Sequence, residues 1–425
     1  MKAIASSIAS IISQENVVGW EDIALSQQKV ILQAIKSQTP PSCIVYPQTT
    51  EQLAKVIVEC DRHKWCILPC GGGSKLTWGG LAKNVDVVVS TEHINRLIEH
   101  AVGDLTITVE AGMKFSDIQA ILAHSKQFLA LDPTVPTATI GGIVATGDTG
   151  SFRQRYGSVR DQLLGITFVR ADGQIAKAGG RVVKNVAGYD LMKLFTGSYG
   201  TLGVISQVTF RVYPSPQLSG TVVLSGTAEA VSRAADILRS SALTPTQADL
   251  LSTQLVSKLE LGTGVALIVR FQSIAESVKE QSTRLLELGE QLGIAGKIYA
   301  AEDEADLWRL LREQIYSSPN DTITCKIGVI PTAAVQVLTQ IEMGLIHVGS
   351  GLGVLQFENQ EQVLQVRNFL NSHSGFLSIL SAPVTVKQKI DVWGYTGNSL
   401  QLMRRIKEQF DTKNILSPGR FVGGI

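Results

Sequence analysis

Three consecutive glycines, Gly71, Gly72 and Gly73, stand between Pro69-Cys70 and Ser74-Lys75, directly after the apolar run Trp65-Cys66-Ile67-Leu68. Glycine lacks a Cβ, so this backbone can turn sharply and expose successive N–H groups. A nest of that kind binds anions, above all a phosphate or pyrophosphate. The spacing matches neither a phosphate loop ending in Gly-Lys-Ser/Thr nor the Gly-x-Gly-x-x-Gly dinucleotide fingerprint. Taken alone, the loop reads equally well as a plain turn between two strands. A second segment runs from Asp132-Pro133-Thr134 through Thr139-Ile140-Gly141-Gly142 to Ala145-Thr146-Gly147. Its small residues, hydroxyls and unhindered backbone let a long ligand lie against main chain and hydrogen-bond to it. Gly197-Ser198-Tyr199-Gly200-Thr201-Leu202-Gly203-Val204-Ile205 repeats this chemistry just before a strand. Three such segments point to one extended nucleotide ligand shared among them.

The elements that would position these segments are legible as periodicity. Leu53, Val56, Ile57 and Cys60 recur at helical spacing, which predicts a helix over 49–63 begun by Thr49-Thr50-Glu51. Strands are predicted over 65–68, 85–89, 105–110, 163–170, 174–178 and 203–212 by β-branched content, with a hairpin turn at Ala171-Asp172-Gly173. A helix is expected over 115–124. The weakly charged stretch 134–157 reads as an ordered loop with one short helix. Tyr213-Pro214-Ser215-Pro216 marks a domain boundary. Beyond it, short strands and helices alternate, which suggests an α+β layer: an antiparallel sheet with helices on one face. A terminal helix is expected over 400–410, before a Pro418-Gly419 tail.

Composition narrows the class. With 425 residues, 44% of them hydrophobic, and 39 glycines, the chain reads as a loop-rich α/β-containing protein of two or three domains. A net charge of +1 gives no electrostatic case for nucleic acid or an anionic membrane. No run of about 18 apolar residues predicts a membrane span, and Met1 to Ser13 does not read as a signal peptide. The five cysteines, Cys43, Cys60, Cys66, Cys70 and Cys325, form no Cys-x-x-Cys pair and read as reduced thiols of a cytoplasmic protein. The histidines show no metal-ligand spacing, and no metal is expected. Peripheral attachment to a membrane through a partner stays open.

Taken in order, the motifs resemble the FAD-binding domain of the vanillyl-alcohol oxidase and p-cresol methylhydroxylase (PCMH) type. They are the Pro-x-Gly-Gly-Gly-Ser loop, Ile140-Gly141-Gly142-Ile143-Val144-Ala145-Thr146, Arg155-Tyr156-Gly157-Ser158, Ala171-Asp172-Gly173, and Gly200-Thr201-Leu202-Gly203-Val204-Ile205. Val183-Lys184-Asn185-Val186-Ala187-Gly188-Tyr189-Asp190-Leu191 narrows the resemblance to the glycolate oxidase and D-lactate dehydrogenase branch, most nearly to FAD-binding subunits of glycolate oxidase. The resemblance covers roughly 41–214. It implies an α+β fold: an N-terminal helical segment at 1–38 and a two-subdomain FAD-binding domain at 39–214. An α+β cap with a ferredoxin-like layer would follow at 215–396, and a C-terminal helix and tail returning to the flavin domain at 397–425.

The resemblance also implies roles by position. Gly71, Gly72, Gly73, Ser74 and Lys75 would contact the FAD pyrophosphate, and Pro133 and Thr134 would lie beside the isoalloxazine. Thr139, Gly141, Gly142, Ala145 and Thr146 would line the flavin and ribityl chain, and Gly203, Val204 and Ile205 the adenosine end. Gly73 stands where covalently flavinylated relatives carry histidine, which implies noncovalent FAD. Ile143 and Gly147 stand where the branch commonly carries asparagine, so some polar flavin contacts would be missing or made by water. Lys184, Asn185, Tyr189 and Asp190 read either as an active-site wall or as a solvated loop. Arg153, Arg155 and Arg160 could hold a carboxylate substrate, although each alone reads more readily as a surface arginine. His347-Val348-Gly349-Ser350-Gly351 keeps one histidine of the branch's metal signature but lacks its acid and second histidine, so His347 reads as structural. The implied activity is oxidation of a 2-hydroxy acid such as glycolate to glyoxylate, with a proton passing to an unassigned base and a hydride to FAD. A larger flavoprotein subunit and an iron–sulfur subunit are the implied partners. The alternatives are a self-sufficient D-lactate-type dehydrogenase and a noncatalytic FAD-binding assembly subunit.

Overall fold

A computed structural model describes residues 2–37, 39–181, 188–316 and 321–425. It divides into two compact units. One comprises Met1–Thr149, Ser158–Pro214 and Val384–Ile425, and the other Gly150–Gly157 and Ser215–Pro383. The chain thus leaves the first unit at Pro214 and re-enters it at Val384, ahead of the terminal helix Leu400–Phe410.

The first unit holds two principal sheets. The smaller has the strand order Val17–Gly19, Cys43–Val45, Val85–Ser90, Cys66–Cys70, with the last three mutually parallel. These parallel strands are apolar on both faces, as a sheet covered on both sides requires. The N-terminal helix and helix Thr50–His63 pack on one side through Ile8, Leu53, Val56, Ile57 and Cys60. Trp20, Ile31, Ile35 and Leu76 close the other. Thr49 caps the Thr50–His63 helix by accepting a hydrogen bond from Gln52 N at 3.2 Å. The larger sheet is antiparallel throughout, in the order Leu97–Ala101, Thr106–Glu110, Val204–Arg211, Leu163–Val169, Ile175–Gly179. Its core includes Ile140, Ile143 and Val144 from a short helix, Ile140–Thr146, and Phe168, Phe195 and Phe210. The 134–157 stretch therefore holds more than the single short helix expected, because Arg153–Tyr156 is helical as well.

The C-terminal tail is built into this unit. Ile67 N donates to Ile415 O at 2.7 Å and Ser417 N to Ile67 O at 2.8 Å, so the tail runs beside the strand that leads into the glycine loop. Lys407 fixes the approach by donating to Thr201 O and Leu416 O at 2.9 and 2.8 Å, while Asp411 accepts from Ile415 N and Leu416 N.

The second unit is one antiparallel sheet of eight strands. Its helices lie on both faces, not on one as the sequence reading expected. Trp308 Nε1 donates to Thr221 Oγ1 at 2.9 Å, and Leu307 and Leu311 pack with Val223, so helix Ala301–Tyr316 covers one face of strand Leu218–Gly226. A Cβ at Gly289 would sit 2.7 Å from Leu224 Cδ2, which puts helix Ala275–Gln291 on the other face. Neighbouring residues of a strand point to opposite sides, so the unbroken apolar run Val222-Val223-Leu224 needs both sides covered. Strands Gln247–Leu251, Leu352–Phe357 and Phe376–Ser381 escaped the sequence reading; Leu352–Phe357 forms a hairpin with the preceding strand Met343–His347, and each of the three also pairs with a strand further away in sequence.

Candidate functional site

The three glycine-rich segments meet because each lacks bulk where another passes. Strand Cys66–Cys70 delivers the first loop against Thr139, so closely that a Cβ on Gly71 would lie 1.9 Å from Thr139 Oγ1. The short helix begins immediately after Thr139. Gly141 lets it approach Ala111, whose Cβ would be 2.7 Å from a Cβ added there, and Gly141 N donates to Ala111 O at 2.8 Å. The third segment hydrogen-bonds the end of that helix, Gly197 N to Val144 O at 2.9 Å and Tyr199 N to Ala145 O at 2.8 Å. Gly200, in the left-handed region at φ +74°, then returns to Pro69, whose Cγ would lie 3.4 Å from a Cβ added there. First, second and third segments are thus joined pairwise.

Between them lies a concave cleft walled largely by backbone and small side chains. It is lined by Gly71, Gly73, Ser74, Lys75, Thr139, Gly141, Gly142, Ala145, Thr146, Gly203, Val204 and Ile205. Three expected residues stand apart from it. Gly72 faces a neighbouring cleft with Ser26 and Gln27. Pro133 is buried outside the lining. Thr134 donates through N and Oγ1 to Asp148 Oδ2 at 3.0 and 3.1 Å, and the same oxygen lies 3.0 Å from Lys75 Nζ. The Lys75–Asp148 pair is almost fully buried, so it is held in low dielectric and neutralises Lys75 at the cleft wall. Ile143 packs into the core, and Gly147 ends the short helix in the left-handed conformation.

Tyr199, within the third glycine-rich segment, also lines the cleft, as do Arg420 and Thr91, to which the sequence reading gave no role. Arg420 arrives on the tail and donates through Nη2 to Leu76 O at 2.6 Å and Trp78 O at 3.2 Å. Lys387 donates to Gly79 O at 3.0 Å and also to Thr77 O. Two buried cations therefore hold four successive carbonyls of the 76–79 loop in alternation. Burial, reinforced by Arg420, lowers the Lys387 amine from 10.5 to about 7, and burial lowers Arg420 to about 10. Tyr199 is stacked edge-on against Trp393 at 5.0 Å, and burial raises its hydroxyl well above the usual range. No local pattern announces Arg420 or Lys387; both depend on the tail reaching back across more than 300 residues.

These shifts make a signed prediction for the cofactor-free protein. Between about pH 7 and 10.5 the unfolded chain carries the Lys387 proton and the folded chain does not, so stability rises with pH across that window. Lys407, lowered chiefly by burial, adds in the same direction. Above the cysteine value of 9.0 the sign reverses, because burial raises Cys43 and Cys70 to about 12 and the folded state then keeps more protons. The urea midpoint should climb from pH 7 to about 9 and fall beyond it, and Lys387→Met should flatten the climb. A wild-type midpoint that is level or falling from pH 7 to 9 would refute this account.

Other candidates stand elsewhere. Lys184 and Asn185 lie outside the described residues. Tyr189 is exposed and Asp190 pairs with Lys193. Arg153 and Arg155 belong to the second unit and Arg160 to the first; Arg155 and Arg160 are exposed. His347 is buried in the second unit, with Nδ1 2.6 Å from Asp249 Oδ1, which also accepts from Ser151 Oγ at 2.8 Å. Among the described residues no group of three or more His, Cys, Asp or Glu is placed to hold a metal ion, and no helix is long and apolar enough to cross a membrane.

Comparison with known proteins bears on this cleft. Residues 41–179 match the family described as FAD binding domain, and 392–421 the family described as FAD linked oxidases, C-terminal domain. The chain is 26% identical over 424 residues to the mitochondrial D-lactate dehydrogenase (cytochrome) of Arabidopsis thaliana, covering 91% of this chain and 74% of that protein. It is 32% identical over 187 residues to glycolate oxidase subunit GlcD of Bacillus subtilis, covering 44% of this chain and 40% of that subunit. Among solved structures, p-cresol methylhydroxylase with substrate bound shares the fold with a TM-score of 0.73 at 16% identity, covering 99% of this chain and 96% of that one.

Proposed function

Because the chain belongs to the FAD-linked flavoproteins of the PCMH type and takes FAD as its cofactor, we propose that this oxidoreductase oxidises a small 2-hydroxy acid, glycolate foremost, as a subunit of a larger assembly. The residues fit the cofactor. FAD is a long dianion with a flat apolar ring, and the cleft offers both matching surfaces. Arg420 Nη1 is buried without a hydrogen-bond partner at one wall, and the Gly71–Thr139 and Gly141–Ala111 approaches leave the others without side-chain bulk. The converging glycine segments are the observation that carries the reading.

In this reading Gly71, Gly73 and Ser74 offer backbone N–H groups to the diphosphate. Thr139, Gly141, Gly142, Ala145 and Thr146 form the wall along the ring and ribityl chain, and Gly203, Val204 and Ile205 take the adenosine end. Lys75 contributes as half of a neutral pair with Asp148, which anchors the loop to Thr134. A Cβ at Gly73 would meet open space, but the residue sits at φ +77° and carries no group that could bond to the ring, so no covalent link forms there and this reading takes the FAD as noncovalent. When bound, FAD supplies the hydride acceptor for the carbinol carbon of the acid. The substrate assignment draws on relatives named as glycolate oxidase and D-lactate dehydrogenase.

Two measurements on one preparation test the reading. Acid precipitation should release all the flavin into solution. Anaerobic addition of glycolate or D-lactate should bleach the flavin absorbance, with glycolate the faster. Colour left on the denatured chain would refute noncovalent binding, and a spectrum unchanged by both acids would refute the oxidation assigned to this chain. If the isolated chain sustains turnover of glycolate with an artificial dye, the need for a second flavoprotein and an iron–sulfur subunit falls away.

A further inference from the structure

The C-terminal segment brings two buried basic side chains to the 76–79 loop, Arg420 at the cleft wall and Lys387 behind it, and neither is paired with a carboxylate among the described residues. Arg420 is 4% exposed and Lys387 7% exposed. Burying a guanidinium away from water is costly unless an opposite charge or a full set of acceptors compensates it. Arg420 is only half compensated. Its Nη2 is engaged by Leu76 O and Trp78 O, whereas Nη1 is buried with no partner and the side chain lines the cleft. The other cation of that wall, Lys75, is already neutralised by Asp148. Of the two basic residues lining the cleft, Arg420 alone lacks a carboxylate partner among the described residues, and its Nη1 is a buried donor without an acceptor.

The backbone explains why the guanidinium is held there so firmly. Gly80 N donates to Arg420 O at 3.0 Å, and a Cβ on Gly80 would lie 2.8 Å from that oxygen, so loop and tail run in direct main-chain contact. Trp393 Nε1 donates to the same carbonyl at 3.3 Å. One arm of a planar fork is thus fixed on the loop, which also fixes the plane and direction of the other.

Resting on the FAD reading, we propose that Arg420 is a direct phosphate ligand of the cofactor: Nη2 locks the 76–79 loop while Nη1 donates to a diphosphate oxygen, and Lys387 is a positioning residue holding the alternate carbonyls of the same loop. The tail at 415–420 is then part of the anion site, and an ordered loop and an ordered tail are needed together for the diphosphate to bind.

The test uses cofactor-free full-length protein, with FAD affinity read by flavin fluorescence and inorganic pyrophosphate as the probe of the anion subsite by calorimetry and by competition. Arg420→Gln should weaken FAD by about 10- to 100-fold, the worth of a charge-assisted hydrogen bond, and abolish pyrophosphate binding. Arg420→Lys keeps the charge but cannot serve loop and phosphate at once, so its FAD affinity should fall between the two while pyrophosphate still binds. Lys387→Met should lower FAD affinity less than Arg420→Gln and leave pyrophosphate competition detectable. Unchanged FAD affinity in a folded Arg420→Gln protein, or pyrophosphate binding equal to wild type, overturns the proposal. Should Arg420→Gln fail to fold by circular dichroism, Arg420→Lys decides it, since wild-type FAD affinity in that variant is incompatible with the fork. Arg420-dependent binding of pyrophosphate by a wild-type chain that takes up no FAD would instead overturn the cofactor reading and leave the anion site standing.

Discussion

Gly71→Ala yields a chain that purifies with little or no flavin. The added methyl would lie 1.9 Å from Thr139 Oγ1 and 2.9 Å from Thr139 Cβ and Cγ2. Threonine is short and stiff at χ1, so it cannot swing aside as the tip of a long side chain would. Relief must come from separating the glycine loop from the start of the short helix, which displaces two of the three segments that form the cleft. Overpacking of this kind costs about 1–3 kcal/mol, and the same displacement spoils the N–H directions that an anion requires. Flavin content per chain, read from the absorbance ratio after purification, should fall by at least about tenfold, 1.4 kcal/mol being a factor of ten. Thr139→Ala added to Gly71→Ala removes Oγ1 and Cγ2 from the clash and should restore part of the flavin, whereas Thr139→Ala alone should do little. A Gly71→Ala protein with full flavin would mean that the two segments are not held together as described.

Asp148→Asn should be the most destabilising single change in the first unit, about 3–5 kcal/mol by denaturant midpoint. Asp148 is 4% exposed, takes two hydrogen bonds from Thr134 and lies 3.0 Å from Lys75 Nζ. Replacing the carboxylate leaves a buried ammonium with no countercharge. It also lets the new amide turn a donor toward the Thr134 donors. Adding Lys75→Met removes the stranded charge, so the double variant should lose less than Asp148→Asn alone. If the single and double variants lose equal stability, the two side chains act independently and the buried pair is not what holds the loop.

Several local features needed only the sequence. The Thr50–His63 helix is set by the apolar spacing Leu53, Val56, Ile57, Cys60 and by a threonine cap, all within one segment. The hairpin between Leu163–Val169 and Ile175–Gly179 follows from Asp172-Gly173, because that turn demands a positive φ, observed at Gly173 as +80°. The glycine segments were legible for the same reason: a backbone that must pass close to something else cannot carry a Cβ, and that requirement is written in residue type.

What could not be read is whatever depends on distance along the chain. Each glycine segment announced that something passes close by, and only the tertiary structure showed that at Gly71 and Gly141 it is Thr139 and Ala111. The strands missed in the second unit are completed by partners far away in sequence, and the helices on both its faces follow from which side each strand turns outward. Arg420 and Lys387 show this most plainly. A guanidinium and an ammonium near a chain terminus look in sequence like any solvated surface charge. Burial beside the 76–79 loop leaves Arg420 half compensated and lowers the Lys387 amine to about 7, because the tail pairs with strand Cys66–Cys70 and carries both out of water. Residue types therefore determined that this chain has a backbone suited to a dianionic cofactor. Long-range main-chain pairing decided which buried basic side chain stands unpaired at that cleft, since burial is a property of the folded chain and not of any residue in it.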